Sequence, residues 1–172
     1  MSSIFFGAAT LSAVVTGVLL AAPAFAHVTL ETKEAAVGNY YKAVMRVPHG
    51  CKGSPTLKVR VRIPDGVIGV KPQPKAGWKL NTVKGNYDKT YTTMHGVQTS
   101  DGVREIVWTG KLLDEHYDEF AFSAYLTPDL KTGSTLYFPV VQECEKGAER
   151  WIDIPAEGSA SPAPGLKLLP KS

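Results

Sequence analysis

The chain has 172 residues, of which 44% are hydrophobic, 9% are aromatic and 20% are charged. This is the composition of an ordinary soluble domain, so a wholly disordered chain is excluded. The net charge is only +3, and the 19 Lys+Arg and 16 Asp+Glu are interleaved without a basic block, which argues against a nucleic-acid-binding protein. All of these charges lie after residue 26, because the first 26 residues contain no charged side chain.

The uncharged N-terminal segment has the pattern of a secretory signal peptide. Residues 4–22 are almost wholly apolar or small, and Ala24-Phe25-Ala26 then forms an A-x-A cleavage signature. A retained membrane anchor is the alternative, since the apolar stretch is long enough to span a bilayer. Small residues crowd its end and no stop-transfer charges follow, which favours cleavage between Ala26 and His27. The sequence therefore predicts signal peptide 1–26 and a periplasmic or secreted product without a membrane span after processing.

The segments after the cleavage site have the pattern of short β-strands. In residues 57–63, apolar residues alternate with Lys58, Arg60 and Arg62, which predicts one buried face and one solvated, cationic face. An anion-binding patch is the alternative interpretation of these cations. Turn clusters of Pro, Gly and Asp separate the predicted strands. In chain order, the predicted strands are residues 27–32, 40–47, 57–63, 67–70, 78–83, 87–93, 103–108, 120–126, 136–142 and 150–154.

Many short strands at even spacing, with no sustained helical period, predict an all-β fold. We expect a single antiparallel β-sandwich of the immunoglobulin or fibronectin class over residues 27–155. Residues 156–172 are rich in Ala, Ser, Pro and Gly, and this composition predicts a flexible C-terminal tail.

Cys51 and Cys144 are the two cysteines of the chain, and both lie in the predicted exported part. Two thiols in an oxidising compartment most often form one structural disulfide. A thiolate metal pair or a redox couple is the alternative, but the chain has no C-x-x-C spacing that would support it. The sequence therefore predicts a structural Cys51–Cys144 disulfide.

His27 gains a second donor if it becomes the first residue of the processed protein. Its free α-amine and its imidazole Nδ1 can then chelate one metal ion, and such nitrogen ligands suit Cu(II). An arbitrary N-terminal histidine is the alternative, since many mature chains begin with a residue of no special function. A carboxylate from the acidic segment 114–119 could complete the site, with Asp114 and Glu115 assigned to a polar loop. His49 and His95 lie in predicted turns and are expected to be solvated or hydrogen-bonded.

Several separated motifs make the chain resemble the YcnI-like family of exported copper-binding domains. The resemblance extends from His27 to about Pro155. The motifs are His27-Val28-Thr29, Arg46-Val47-Pro48-His49-Gly50-Cys51, Pro64-Asp65-Gly66-Val67, Val107-Trp108-Thr109-Gly110, Asp118-Glu119-Phe120-Ala121-Phe122, Tyr137-Phe138-Pro139-Val140-Val141-Gln142, Cys144-Glu145-Lys146-Gly147 and Trp151.

The resemblance implies an immunoglobulin-like sandwich that binds Cu(II) through a mono-histidine brace. It assigns the amine and imidazole ligands to His27, the carboxylate ligand to Glu119 and an aromatic neighbour of the metal to Trp151. A shift of one residue would exchange Glu119 with Asp118, and core packing is the alternative role for Trp151.

The leading functional hypothesis is a copper-binding protein, not an enzyme, that buffers or delivers copper. Another copper chaperone or a membrane copper transporter is a possible partner. One alternative is a copper-dependent oxidative enzyme that uses His116 as a second histidine. The other is a metal-free adhesion or assembly module.

Overall fold

Alternating apolar and polar residues build twelve β-strands in the part of the chain that the computed structural model describes, residues 27–154 and 159–171. The predicted signal peptide, residues 1–26, lies outside the described residues. Within the described ranges there is no helix with the length and hydropathy to cross a membrane. The strands are β1 (Thr29–Leu30), β2 (Glu34–Ala36), β3 (Tyr40–Val47), β4 (Thr56–Arg62), β5 (Val67–Pro72), β6 (Lys79–Thr92), β7 (Gln98–Leu112), β8 (Asp118–Leu126), β9 (Thr135–Tyr137), β10 (Val140–Cys144), β11 (Ala148–Trp151) and β12 (Gly165–Leu169).

The strands form one four-stranded sheet, in the order β1-β3-β8-β5, and one five-stranded sheet, in the order β11-β10-β4-β7-β6. A smaller sheet has the order β2-β12-β9. The paired strands run antiparallel except β2 and β12, which run parallel. The predicted all-β, antiparallel architecture is therefore confirmed.

The core lies between the two larger sheets. Met45 and Phe120 of the four-stranded sheet and Val61 and Trp108 of the five-stranded sheet have no exposed surface and belong to one apolar cluster. The rings of Trp108 and Phe120 meet across the interface at 5.4 Å between centroids. Burial of this apolar surface is what holds the sheets face to face.

Two of the differences between the predicted strands and the structure change how the strands are divided. The predicted strands 78–83 and 87–93 are one continuous strand, β6, whose pairing with β7 shifts register between Asn86 and Tyr91. The predicted strand 136–142 is two strands, β9 and β10, which join different sheets. Pro139 separates them, and a proline has no N–H to donate to a strand ladder.

The prediction of a flexible tail over residues 156–172 is wrong for the segment that forms β12. Gly165–Leu169 pairs with β2 on one side and with β9 on the other. Leu166 is 0% exposed and Leu168 is 1% exposed, and both belong to the main core cluster. Leu166, Lys167 and Leu168 alternate with period two, so the strand signal is present but lies within a stretch whose overall composition is typical of a tail.

The predicted disulfide is confirmed, with 5.9 Å between the Cα atoms of Cys51 and Cys144. Cys51 lies in a tight turn after β3, where its backbone N–H donates to the carbonyl of Ser54 and its carbonyl accepts the backbone N–H of Ser54. Cys144 ends β10. The bridge therefore joins the segment after a strand of the four-stranded sheet to a strand of the five-stranded sheet.

The cationic face of β4 is paired with carboxylates. Lys58 Nζ lies 2.8 Å from Glu143, and Arg60 bridges Glu105 at 3.0 Å and Glu143 at 3.3 Å. These side chains lie on the outer face of the five-stranded sheet, as the alternation predicts. Because Lys58 and Arg60 already hold anionic partners, the pairing favours a solvated face over an anion-binding patch.

We expect this ion-pair cluster to stabilise the fold at neutral pH and not in acid. The hydrogen bond from Lys58 is the main cause that lowers the pKa of Glu143 below its usual value. A carboxylate with a lowered pKa contributes stability above its unfolded-state pKa and loses it as the pH falls through the folded-state pKa. Glu143→Gln should therefore reduce the free energy of unfolding at neutral pH by up to ~1 kcal/mol, since the pairs are partly exposed.

The measurement is urea unfolding of both proteins at neutral pH and at a pH below the lowered Glu143 pKa, with Glu145→Gln as the control at an exposed position. The difference between wild type and Glu143→Gln should shrink in acid. An equal difference at both pH values would contradict the assignment.

Candidate metal centre

His27 lies at the start of the four-stranded sheet, against an aromatic side chain of the other sheet. Val28 and Leu30, each 2% exposed, anchor the segment in the core, and Thr29 and Leu30 pair with β3. The half-buried His27 ring contacts Trp151 edge to face, with 5.1 Å between centroids. Two residues far apart in the sequence, both predicted as site residues, are thus in direct contact.

Trp151 is held in place by a buried amide. It is 4% exposed and ends β11, where its Nε1 donates to Oε1 of Gln142 at 3.4 Å. The amide nitrogen of Gln142 donates to the carbonyl of His49 at 2.6 Å and to Oγ1 of Thr56 at 2.7 Å. Trp151 is therefore both a core residue and the neighbour of His27, so the two alternative roles are compatible.

Glu119 projects from β8 in the same sheet. Thr29 pairs with Arg46, and Arg46 pairs with Glu119, so the three residues form one row across β1, β3 and β8. This register places the backbone of Glu119 roughly 10 Å from that of β1, two strand spacings away. The Glu119 side chain is 41% exposed, which leaves it accessible to a ligand.

Arg46 and Tyr117 hold the Glu119 carboxylate. Arg46 Nε lies 3.7 Å from Oε1 of Glu119 and donates to the Tyr117 hydroxyl at 3.2 Å. The Tyr117 hydroxyl in turn donates to Oε1 of Glu119. Partial removal from water, followed by the hydrogen bond to Glu119, raises the pKa of Tyr117. Tyr117 therefore keeps its proton at neutral pH and acts as a donor to the carboxylate.

Asp118, the alternative ligand, has a different environment. Its Oδ1 lies 2.6 Å from Lys75 Nζ and accepts the backbone N–H of Glu119. Successive residues of a strand point to opposite faces, so Asp118 shares the face of the buried Phe120 and Glu119 does not. The geometry favours Glu119 as the accessible carboxylate.

The other histidines lie in turns. His116 is exposed between β7 and β8, and its N–H donates to the carbonyl of Leu113. His49 is half-buried, with Nδ1 against the carbonyl oxygen of Gly50, and His95 is exposed in the turn between β6 and β7.

Side chains alone do not complete a three-ligand site in the described ranges, where no group of three or more His, Cys, Asp and Glu is arranged to hold a metal. A mono-histidine brace uses only two side chains as metal ligands, and its third ligand is the nitrogen of the α-amine. Two nitrogens and one carboxylate oxygen are ligands that Cu(II) accepts in a tetragonal arrangement. The donor types of His27 and Glu119 therefore fit this ion.

The sequence matches the family described as "Domain of unknown function (DUF1775)" over residues 27–168. The chain belongs to this family. The match begins at His27 and includes most of β12, so the matched range extends past residue 155.

Two individual proteins resemble this DUF1775 chain. It is 35% identical over 100 residues to "Copper-binding protein CutI" of Bacillus subtilis (strain 168), and the matched segment covers 57% of this chain and 48% of that relative. The chain thus spans about half the length of that relative. The family match and this relative together confirm the resemblance to the YcnI-like family.

A protein from Nocardia farcinica, whose crystal structure reveals an immunoglobulin-like fold, is 25% identical to this chain. It aligns with a TM-score of 0.61 over 83% of this chain and 98% of that one. The predicted immunoglobulin-like fold class is confirmed.

The sequence patterns did not identify Arg46, Tyr117 and Gln142 as residues that hold the candidate ligand Glu119 and its neighbour Trp151 in place. Tyr117 lies just before β8 and two positions before Glu119, so period-two alternation could have placed its side chain on the same side as that of Glu119. Gln142 lies at an inward-facing position of an apolar strand, and a buried amide there indicates a hydrogen-bonding role. Arg46 gives no local signal, because its partners lie on another strand.

Proposed function

We propose that this protein is an exported Cu(II)-binding protein whose metal centre forms when the signal peptide is removed before His27. The contact between His27 and Trp151 carries the proposal, because it fixes the residue that would become the N-terminus at the edge of the sandwich. Membership in a family with a copper-binding relative supports the same function, and the disulfide supports an oxidising, extracytoplasmic location.

His27 would supply the α-amine and imidazole Nδ1, and Glu119 would supply a carboxylate oxygen. Arg46 and Tyr117 both contact Oε1 of Glu119, so the carboxylate can keep these contacts while Oε2 binds the metal. The negative carboxylate offsets part of the charge of the ion. Trp151 shields one side of the His27 ring from water.

The role we propose for this centre is to buffer or hand over copper without catalysis. The Glu119 carboxylate is exposed, and the half-buried His27 precedes the edge strand β1. Both features leave the ion open to exchange, which suits delivery to a copper chaperone or a membrane transporter. Copper is then the cargo of the protein.

The decisive experiment compares a protein that begins at His27 with the same protein acetylated at its N-terminus. Acetylation converts the α-amine into an amide, adds no new amine donor and leaves every side chain in place. We expect the affinity for Cu(II) to fall on the order of 100-fold, equivalent to about 2.7 kcal/mol. Competition titration with a chelator of known affinity measures it, and Cu(II) should raise the melting temperature of the first protein much more than that of the second.

Carboxylate variants test the second ligand. Glu119→Gln should weaken Cu(II) binding, whereas Asp118→Asn is the matched control on the same strand and should not. Equal affinity of the two N-terminal forms would overturn the brace, and a stronger effect of Asp118→Asn would assign the carboxylate to Asp118.

A further inference from the structure

Gln142 is a buried polar side chain whose amide group makes several hydrogen bonds within the core. It is 1% exposed, and its amide makes three hydrogen bonds, with Trp151 Nε1, the His49 carbonyl and Thr56 Oγ1. A buried amide without partners destabilises a fold, whereas a satisfied one fixes the groups around it. Gln142 therefore orients whatever it contacts.

The three partners of Gln142 come from separate parts of the chain. Trp151 is on the neighbouring strand β11, Thr56 begins β4 on the other side of β10, and His49 lies in the turn after β3. The amide thus ties both flanking strands of one sheet to a turn of the other. The indole N–H of Trp151 is the member of this network that leads directly to His27.

The indole of Trp151 is buried, so its N–H needs a hydrogen-bond acceptor within the protein. An indole donates one hydrogen bond through Nε1, and here Gln142 Oε1 accepts it. The side-chain amide of Gln142 cannot rotate freely, because its Nε2 donates to two acceptors, the His49 carbonyl and Thr56 Oγ1. The orientation of the Trp151 ring, and with it the contact of Trp151 with the His27 ring, follows from the amide.

We propose that Gln142 is a positioning residue for copper binding, acting through Trp151 on His27. The inference rests on the proposed function for the metal and on the hydrogen-bond network for the residue. Groups outside the ligand set that orient a ligand commonly change metal affinity by about 10–100-fold when removed.

Gln142→Met tests the proposal, because methionine matches the length of glutamine and removes the amide. In the protein that begins at His27, we expect the Cu(II) affinity to fall by roughly 10–100-fold. In the metal-free protein, the indole N–H resonance of Trp151, assigned with Trp151→Phe, should shift and exchange faster with solvent. The indole resonance of Trp108, which donates to the Gln73 carbonyl, should stay in place.

A matched pair of conservative variants covers the case in which Gln142→Met does not fold. Thr56 and Thr127 are both buried, at 0% and 1% exposed, but of the two only Thr56 donates to or accepts from Gln142. Thr127 directly follows the last residue of β8, whereas Glu119 lies near the start of that strand. Thr56→Val should move the Trp151 resonance and weaken Cu(II) binding, and Thr127→Val should do neither.

Folded Gln142→Met with wild-type affinity and an unmoved Trp151 resonance would overturn the proposal, and so would identical behaviour of the two threonine variants. A wild type that binds no Cu(II) would overturn the proposed function. The metal-free resonances would then still show whether Gln142 positions Trp151.

Discussion

Removal of residues 159–172 should lower the free energy of unfolding by about 3–6 kcal/mol, although their composition is that of a dispensable tail. Leu166 and Leu168 are fully buried in the main core, and burying one leucine side chain contributes about 1.5–3 kcal/mol. The deletion also leaves β2 and β9 without the strand that joins them. Typical domains are stable by only about 5–15 kcal/mol, so the truncated protein should be close to unfolding.

Urea unfolding of the truncated and full proteins measures this effect, and a pair of point variants localises it. Leu168→Ala should reduce stability by about 2–5 kcal/mol, because it leaves a cavity in the core. Lys167→Ala is the control on the same strand, since Lys167 is exposed and its ion pair with Glu34 contributes less than about 1 kcal/mol. A truncated protein as stable as the full chain would restore the tail interpretation.

The strands that could be predicted are those whose own pattern determines their environment. β3 matches its predicted bounds, and β8 extends its prediction by two residues, because each has a regular inward-facing row that ends at a turn. β2 and β12 are short and pair with each other across most of the chain. Nothing local to residues 34–36 indicates a strand, because the partner that stabilises it lies at Lys167–Leu169.

The candidate site divides in the same way. Cys51 and Cys144 could be paired because the chain offers no other choice, and His27, Glu119 and Trp151 were assigned through family motifs. The contact of His27 with Trp151 depends on how β1 and β11 approach each other from different sheets, which no local pattern encodes. For the same reason, the contacts that Arg46 and Tyr117 make with Glu119 depend on the β3–β8 register, which places Arg46 opposite Glu119.

Replacing both cysteines, Cys51→Ala with Cys144→Ala, should lower the free energy of unfolding by about 2–5 kcal/mol. The two residues are 93 positions apart, so in the chain-entropy account the bridge removes much of the freedom of the unfolded chain. The native contacts around the bridge should persist in the variant, because Thr56 and Gln142 keep their mutual hydrogen bond.

Chemical denaturation with and without a reductant separates the bridge from the substitutions. Reductant should bring the wild type toward the stability of the double variant and leave the double variant unchanged. A double variant as stable as the oxidised wild type would mean that the bridge contributes nothing to the fold.

Because Cys51 Sγ lies 3.8 Å from the Gln142 carbonyl oxygen and Cys144 Sγ lies 3.7 Å from Thr56 Oγ1, the bridge also adjoins the network that holds Trp151. Faster exchange of the Trp151 indole N–H in the double variant would show that the disulfide stabilises the end of the sandwich at which His27 lies.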